Sequence, residues 1–264
     1  MKVWYNTNMY PDLFGIESGT MGLLMIVAAV AAVMEVFIYL QLRVLSQKSF
    51  IDLFILFLAT IFAGIVFAML FENVYEAIKH VINNEPQQWT WSKTFYGGLF
   101  GGVATFLIVY RFYYLRNNEP IIKKMLIIAP SAICLAHGIG RLGCFFNGCC
   151  YGIETDAWYG IQFPGHDHKV IPTQLFEMAF LLILALILGI MAFKKDFKYT
   201  MPIYLFSYGI FRFLIEFIRG DERGQLQGLS PSQYWCFAMV IVGAFLIFAY
   251  QKWIFVKKEN EDAI

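Results

Sequence analysis

The chain carries seven long, almost uninterrupted apolar runs, at about 18–42, 50–71, 94–115, 124–146, 174–193, 201–219 and 232–256. Each is close to the roughly 20 residues that an α-helix needs to cross the hydrocarbon core of a bilayer. No other feature constrains the fold as strongly. A transmembrane β-barrel would be written in short alternating strands, whereas these runs are continuous and rich in Leu, Ile, Phe and Ala. With 59% hydrophobic and 15% charged residues among 264, and a mean hydropathy of +0.60, one soluble core cannot hide the apolar surface. The bilayer is then the solvent. The 27 Phe and 15 Tyr residues suit lipid contact and interfacial belts. A net charge of +1 argues against nucleic acid as a partner. The expectation is an all-α integral membrane protein of seven transmembrane helices, one domain over 1–264, with an outer periphery at about 147–173 and a tail at about 257–264.

Met1 to Thr20 lacks a basic segment followed by a short apolar one, so the first run reads as a mature helix and not as a leader. Orientation follows from the basic residues at alternate ends of the runs. One set of ends holds twelve, among them Arg43, Lys48, Arg111, Arg116, Lys123, Lys124, Lys194 and Lys195. The opposite set holds seven, with Arg212 inside a run. The richer ends are expected in the cytoplasm, which puts the N-terminus outside and the C-terminus inside. The longest polar connections, 72–93 and 147–173, then face outward, and chemistry is expected there.

An ionisable side chain inside a spanning helix costs about 2.5–3.5 kcal/mol on insertion scales, so each needs a reason. In the sixth run Arg212, Glu216 and Arg219 recur at i, i+4 and i+7, on one helical face, with Tyr208 a turn further in. Two arginines around one glutamate suit an anion better than packing alone. The fourth run ends in His137, Arg141 and Cys144 at the same spacing, among Gly138, Gly140 and Gly143. The third opens with Tyr96, Gly97, Gly98 and Leu99; Gly98 and Gly102 form a GxxxG pair, whose default meaning is helix packing. The fifth opens Pro172-Thr173-Gln174-Leu175-Phe176-Glu177, placing Glu177 one turn in, where it can meet either arginine. Four polar or glycine-rich clusters thus converge on one outward cavity. Glu35, mid-way along the first run, reads as a structural hydrogen bond.

Of five cysteines, Cys134 and Cys236 sit in apolar context and read as core. Cys144, Cys149 and Cys150 form a C-x4-C-C cluster with three open readings: a disulfide from Cys144 to one of the others, a redox-active thiol pair, or a metal site with His137, His166 or His168. The spacing is not a standard zinc pattern, so neither metal nor cofactor is expected.

Gly140-Arg141-Leu142-Gly143, followed by Phe145, Asn147 and Gly148, resembles the signature of the bacterial prolipoprotein diacylglyceryl transferases. The Gly97-Gly98-Leu99 run, the Pro172–Glu177 segment and the Tyr208…Arg212…Glu216…Arg219 helix resemble that family too, in order and spacing, over roughly 15–255. The resemblance implies a multi-pass enzyme of the bacterial cytoplasmic membrane, its active site facing the outer leaflet. It would transfer the diacylglyceryl group of phosphatidylglycerol to the cysteine thiol of a lipobox-containing prolipoprotein, releasing glycerol phosphate. Arg141 and Arg212 would stabilise the departing phosphate. Gly97, Gly98, Gly143, Asn147, Glu177, Tyr208, Glu216 and Arg219 would shape the lipid site. Where the family has a His before Gly-Gly-Leu this chain has Tyr96, so His137 is the substitute base. Cys144 and Cys149 stand where the family has an Asn and an acidic residue. A related transferase with another thiol or hydroxyl acceptor, a membrane thiol oxidoreductase working through the three cysteines, and a transporter or lipid-binding protein are the alternatives.

Overall fold

The computed structural model describes residues 19–43, 47–83, 95–113, 121–164, 166–220 and 229–254. Seven α-helices lie among them: α1 Gly19–Arg43, α2 Gln47–Asn83, α3 Phe95–Tyr113, α4 Ile121–Phe146, α5 Thr173–Lys195, α6 Thr200–Ile215 and α7 Pro231–Ala249. Six are long and apolar enough to cross a membrane, while α3 contributes a shorter apolar stretch, Gly101–Arg111. The described residues form no named strand, only isolated bridges within the segment between α4 and α5 and from it to Arg219 after α6. The protein is thus an all-helical membrane protein. The expected tail at 257–264 lies outside the described residues.

The helices fall into two compact units, one of residues 1–40 and 122–264, the other of 41–121. In the second unit α2 and α3 pack antiparallel through glycine. A Cβ on Gly98 would stand 3.3 Å from the Gly64 carbonyl, and one on Gly102 would stand 3.8 Å from the Thr60 carbonyl. Phe57 and Phe106 continue the seam one turn on. The GxxxG pair therefore does what small residues commonly do in membranes, letting two backbones approach.

In the first unit α4, α5 and α6, with Met239 of α7, form the core of Cys134, Leu181, Leu184, Leu188, Tyr204 and Tyr208. Pro130 interrupts α4 and cannot donate to the carbonyl four residues back. The Thr200 hydroxyl at the start of α6 stands 3.5 Å from that Leu126 carbonyl and donates to the next one, of Ile127, at 2.7 Å. In lipid a backbone acceptor left without a donor is costly, so this bond fixes α6 on α4. At the same end Asp196, in the left-handed region at φ 51°, closes α5 and accepts from Tyr39 and Lys124. Glu35 finds its expected structural bond, its Oε1 lying 2.5 Å from Ser131 Oγ, and Ser131 also donates to the Ala185 carbonyl at 2.9 Å. Ser230 caps α7 in a reciprocal box with Gln233.

Candidate functional site

The far ends of α4, α5 and α6 meet in a buried polar network. Arg141 on α4 pairs with Glu177 on α5, its Nη2 donating to Oε1 at 3.0 Å and its Nε standing 2.9 Å from Oε2 as an ion-pair contact. Glu177 is fully buried. Its Oε1 also accepts from Tyr208 of α6 at 2.7 Å. His137, one turn before Arg141, places Nε2 3.7 Å from the same oxygen and its ring edge against Tyr208. That distance is too long for a hydrogen bond. Of the two arginines the sequence offered to Glu177, Arg141 is thus the one that makes the pair.

Arg212 is also buried; its Nη1 lies 2.5 Å from Glu216 Oε2, and its Nη2 donates to Ser232 of α7 at 3.2 Å. Arg219 Nε stands 3.8 Å from that Glu216 oxygen. The expected i, i+7 stripe is realised differently. α6 ends at Ile215, Glu216–Ile218 tightens into a 3₁₀ turn, and Arg219 is extended. There its backbone bridges to Gly152. Tyr208 lies within electrostatic reach of both Arg141 and Arg212. Three guanidinium groups against two carboxylates leave the network one positive charge in excess. Such charges persist in low dielectric only when paired, and the surplus suits an incoming anion.

The segment after α4 is tied to this network. Gly148 and Cys150 both adopt φ 65°, a region open to glycine but costing a cysteine of order 1–3 kcal/mol. Thr173 Oγ1 holds the Cys150 carbonyl at 2.8 Å and Gln174 Nε2 the Cys149 carbonyl at 2.6 Å. A Cβ on Gly152 would stand 2.6 Å from the Ile218 carbonyl, so only glycine allows the approach to the Arg219 turn. No disulfide joins any of the five cysteines in this structure. The sulfurs of Cys144, Cys149 and Cys150 lie within 4.8 Å of one another, with no histidine among them. Hydrogen bonding to Cys144 and Cys149, together with the Arg219 guanidinium, holds the Cys150 thiol well below its ordinary range. His166 packs against Tyr151 and Phe163 instead.

A Cβ on Gly143 would stand 3.4 Å from Met21 of α1, and one on Gly138 3.0 Å from Leu182 of α5, so both glycines serve close helix packing. Asn147 sits in the turn closing α4, its N–H bonded to the Gly143 carbonyl at 3.0 Å. Gly97 and Gly98 belong to the second unit. Tyr96 lies in α3, its side chain outside the described residues. Ser232 is the contact that sequence reading missed; its only signal was the Ser230-Pro231-Ser232-Gln233 capping pattern. A groove of about 400 Å3, lined by Glu35, Ser131, Leu135 and Lys194, opens toward the opposite ends of the helices from Arg141. It holds no arginine, and the chemistry is better sought at the buried pair.

Fold and site together define a polytopic helical membrane protein with a paired-arginine polar centre among its helices. The chain belongs to the prolipoprotein diacylglyceryl transferase family, whose sequence profile matches residues 12–249. It is 34% identical over 158 residues to a phosphatidylglycerol–prolipoprotein diacylglyceryl transferase of Clostridium tetani, covering 57% of this chain and 61% of that one. A second such enzyme, from Clostridium perfringens, is 34% identical over 163 residues, 60% of this chain and 61% of the relative. One from Aliivibrio fischeri is 32% identical over 220 residues, 80% and 75% of the two chains. The chain spans about three-fifths of the length of the two clostridial relatives.

Proposed function

We propose that this protein transfers the diacylglyceryl group of phosphatidylglycerol to a cysteine thiol of a prolipoprotein. The reading is carried by Arg141, half-buried, and Arg212, buried, two guanidinium groups each held by a carboxylate and both within electrostatic reach of Tyr208. It draws on the family and on the relatives' names for its substrates. The acceptor sulfur attacks the glyceryl carbon bonded to phosphate oxygen. A C–S bond forms, the C–O bond breaks, and its electron pair leaves with glycerol phosphate, which gains a second negative charge. Guanidinium forks meet that charge where little water competes, and such preorganised donors are commonly worth about 100-fold or more in rate. The thiol proton goes to His137 or to the departing phosphate. Glu177, Glu216 and Tyr208 position the arginines, while Arg219 and Asn147 shape the headgroup side and Gly143 lets α1 pack close to α4. Tyr96, Gly97 and Gly98 enter this reading through the family motif alone.

The enzyme is further read as spanning the bacterial cytoplasmic membrane seven times, N-terminus outside and C-terminus inside, with the arginines toward the outer leaflet. The excess of Lys and Arg at alternate ends supports that orientation. Purified protein incubated with phosphatidylglycerol and a lipobox peptide tests the activity by mass spectrometry. The expected product is a peptide heavier by one diacylglyceryl group, with equimolar glycerol phosphate. Arg141→Ala and Arg212→Ala each lose at least about 100-fold, and Arg212→Lys recovers little because it lacks the fork. His137→Gln compared with Tyr96→Phe identifies the base. Glycerol phosphate without modified peptide would mean another acceptor, and neither product would overturn the reading.

A further inference from the structure

Outside the arginine pairs, the described residues bring one set of metal-ligating side chains together: Cys144, Cys149 and Cys150, whose sulfurs all lie within 4.8 Å of one another. We propose that these three thiols bind a soft, thiophilic metal ion, Zn2+ or Cu+, which clamps the turn after α4. Three sulfurs around one ion, with metal–sulfur bonds of about 2.3 Å, stand about 4 Å apart, so the observed set needs to close only slightly. The sequence leaves a metal open at this C-x4-C-C cluster with His137, His166 or His168 as a partner; the structure gathers the three sulfurs with no histidine among them.

That backbone is held in place from several sides. Gly148 and Cys150 both turn through φ 65°. The Cys149 N–H closes on the Cys144 carbonyl at 3.1 Å. Thr173 and Gln174 hold the next two carbonyls from the start of α5. Gln174 is buried, and its Oε1 has no hydrogen-bond partner, an acceptor suited to a donor that a metal-bound water would bring. The sulfurs themselves are only partly buried, so an ion can reach them. Binding sends to solvent whatever protons the three thiols still hold and forms three metal–sulfur bonds, with no change of oxidation state. Around Zn2+ three thiolates leave one negative charge, which the Arg219 guanidinium beside Cys150 offsets; water fills the fourth position. Cu+ is complete with the three sulfurs alone. Through the Gly152–Arg219 bridge the ion steadies Arg219. None of this depends on the transfer reaction.

The test uses the full chain in detergent under argon, stripped by chelator and titrated with Zn2+ alone or Cu+ alone against a chromophoric competitor. One ion per chain is expected, and the tighter of the two arms names the metal. In the unaltered protein the ion should shield three of the five cysteines from maleimide, leaving Cys134 and Cys236 as they were. Cys149→Ser and Cys150→Ser should each weaken binding by at least ~10-fold. Two outcomes overturn the proposal: no uptake and no shielding in the unaltered protein, or a disulfide between two of the three sulfurs in protein alkylated before exposure to air. The second would make the cluster a redox pair.

Discussion

Glu35 and Glu177 are both carboxyl groups inside spanning helices, yet their surroundings assign them different work. Glu177 carries its charge against Arg141, with Tyr208 donating to the same oxygen. Removing that charge strands a guanidinium in low dielectric, which costs about 3–5 kcal/mol in buried pairs. Glu177→Gln is therefore expected to lower thermal stability in detergent steeply, and Glu177→Gln with Arg141→Met to recover part of the loss. Among the described residues Glu35 is hydrogen-bonded to Ser131, whose single hydroxyl proton cannot serve both the Ala185 carbonyl and Glu35. The accounting closes when the carboxyl supplies the second proton. An amide can do the same, so Glu35→Gln is expected to change stability by less than about 1 kcal/mol. Equal losses for the two substitutions, read by the same unfolding measurement, would refute the distinction. The sequence showed that both groups needed partners; which partners they took depended on how α4, α5 and α6 align.

Among elements, the glycines of the fourth run looked alike in the sequence and are not. Gly140 has open space where a Cβ would go. Alanine there removes the entropy cost of a helical glycine, so Gly140→Ala is expected to be neutral or to stabilise α4 by up to about 1 kcal/mol. Gly152, just beyond the helix, is the opposite case. A Cβ there would meet the Ile218 carbonyl at 2.6 Å, Ile171 at 2.8 Å and Thr173 at 2.9 Å. None of these can yield without moving backbone or packed side chain, and overpacking of this kind costs about 1–3 kcal/mol. Gly152→Ala is expected to loosen the segment from the Arg219 turn, detected as faster proteolysis between α4 and α5. Helix existence was legible because hydropathy needs no tertiary partner. The close of α6 at Ile215 was not, since the 3₁₀ turn is drawn by the Gly152 bridge, a contact far away in sequence. The clustering of Cys144, Cys149 and Cys150 was legible from their spacing, while the two left-handed residues that shape the turn carrying them were not.

For the whole molecule, the open quantity is how the helices thread the membrane. Pro130 and Thr200, with Asp196, Tyr39 and Lys124, tie α1, α4, α5 and α6 together at one end. The arginines occupy the other. The tied end carries Lys123, Lys124, Lys194, Lys195 and Lys198, which is the pattern of a cytoplasmic face. If α3 crosses as well as the six longer helices, the two chain termini fall on opposite sides; if it does not, they share one. Reporter fusions decide between these cases. A reporter active only in the cytoplasm is expected to be active after residue 264 and silent when inserted in the exposed 154–159 stretch. One active only outside should reverse that pattern there, and should be active at the N-terminus. Activity of the cytoplasmic reporter at both termini would leave α3 short of a crossing. Activity of that reporter in the 154–159 stretch would put the arginines on the inner side, where a thiol acceptor still to be exported, and not one already across, would have to meet them.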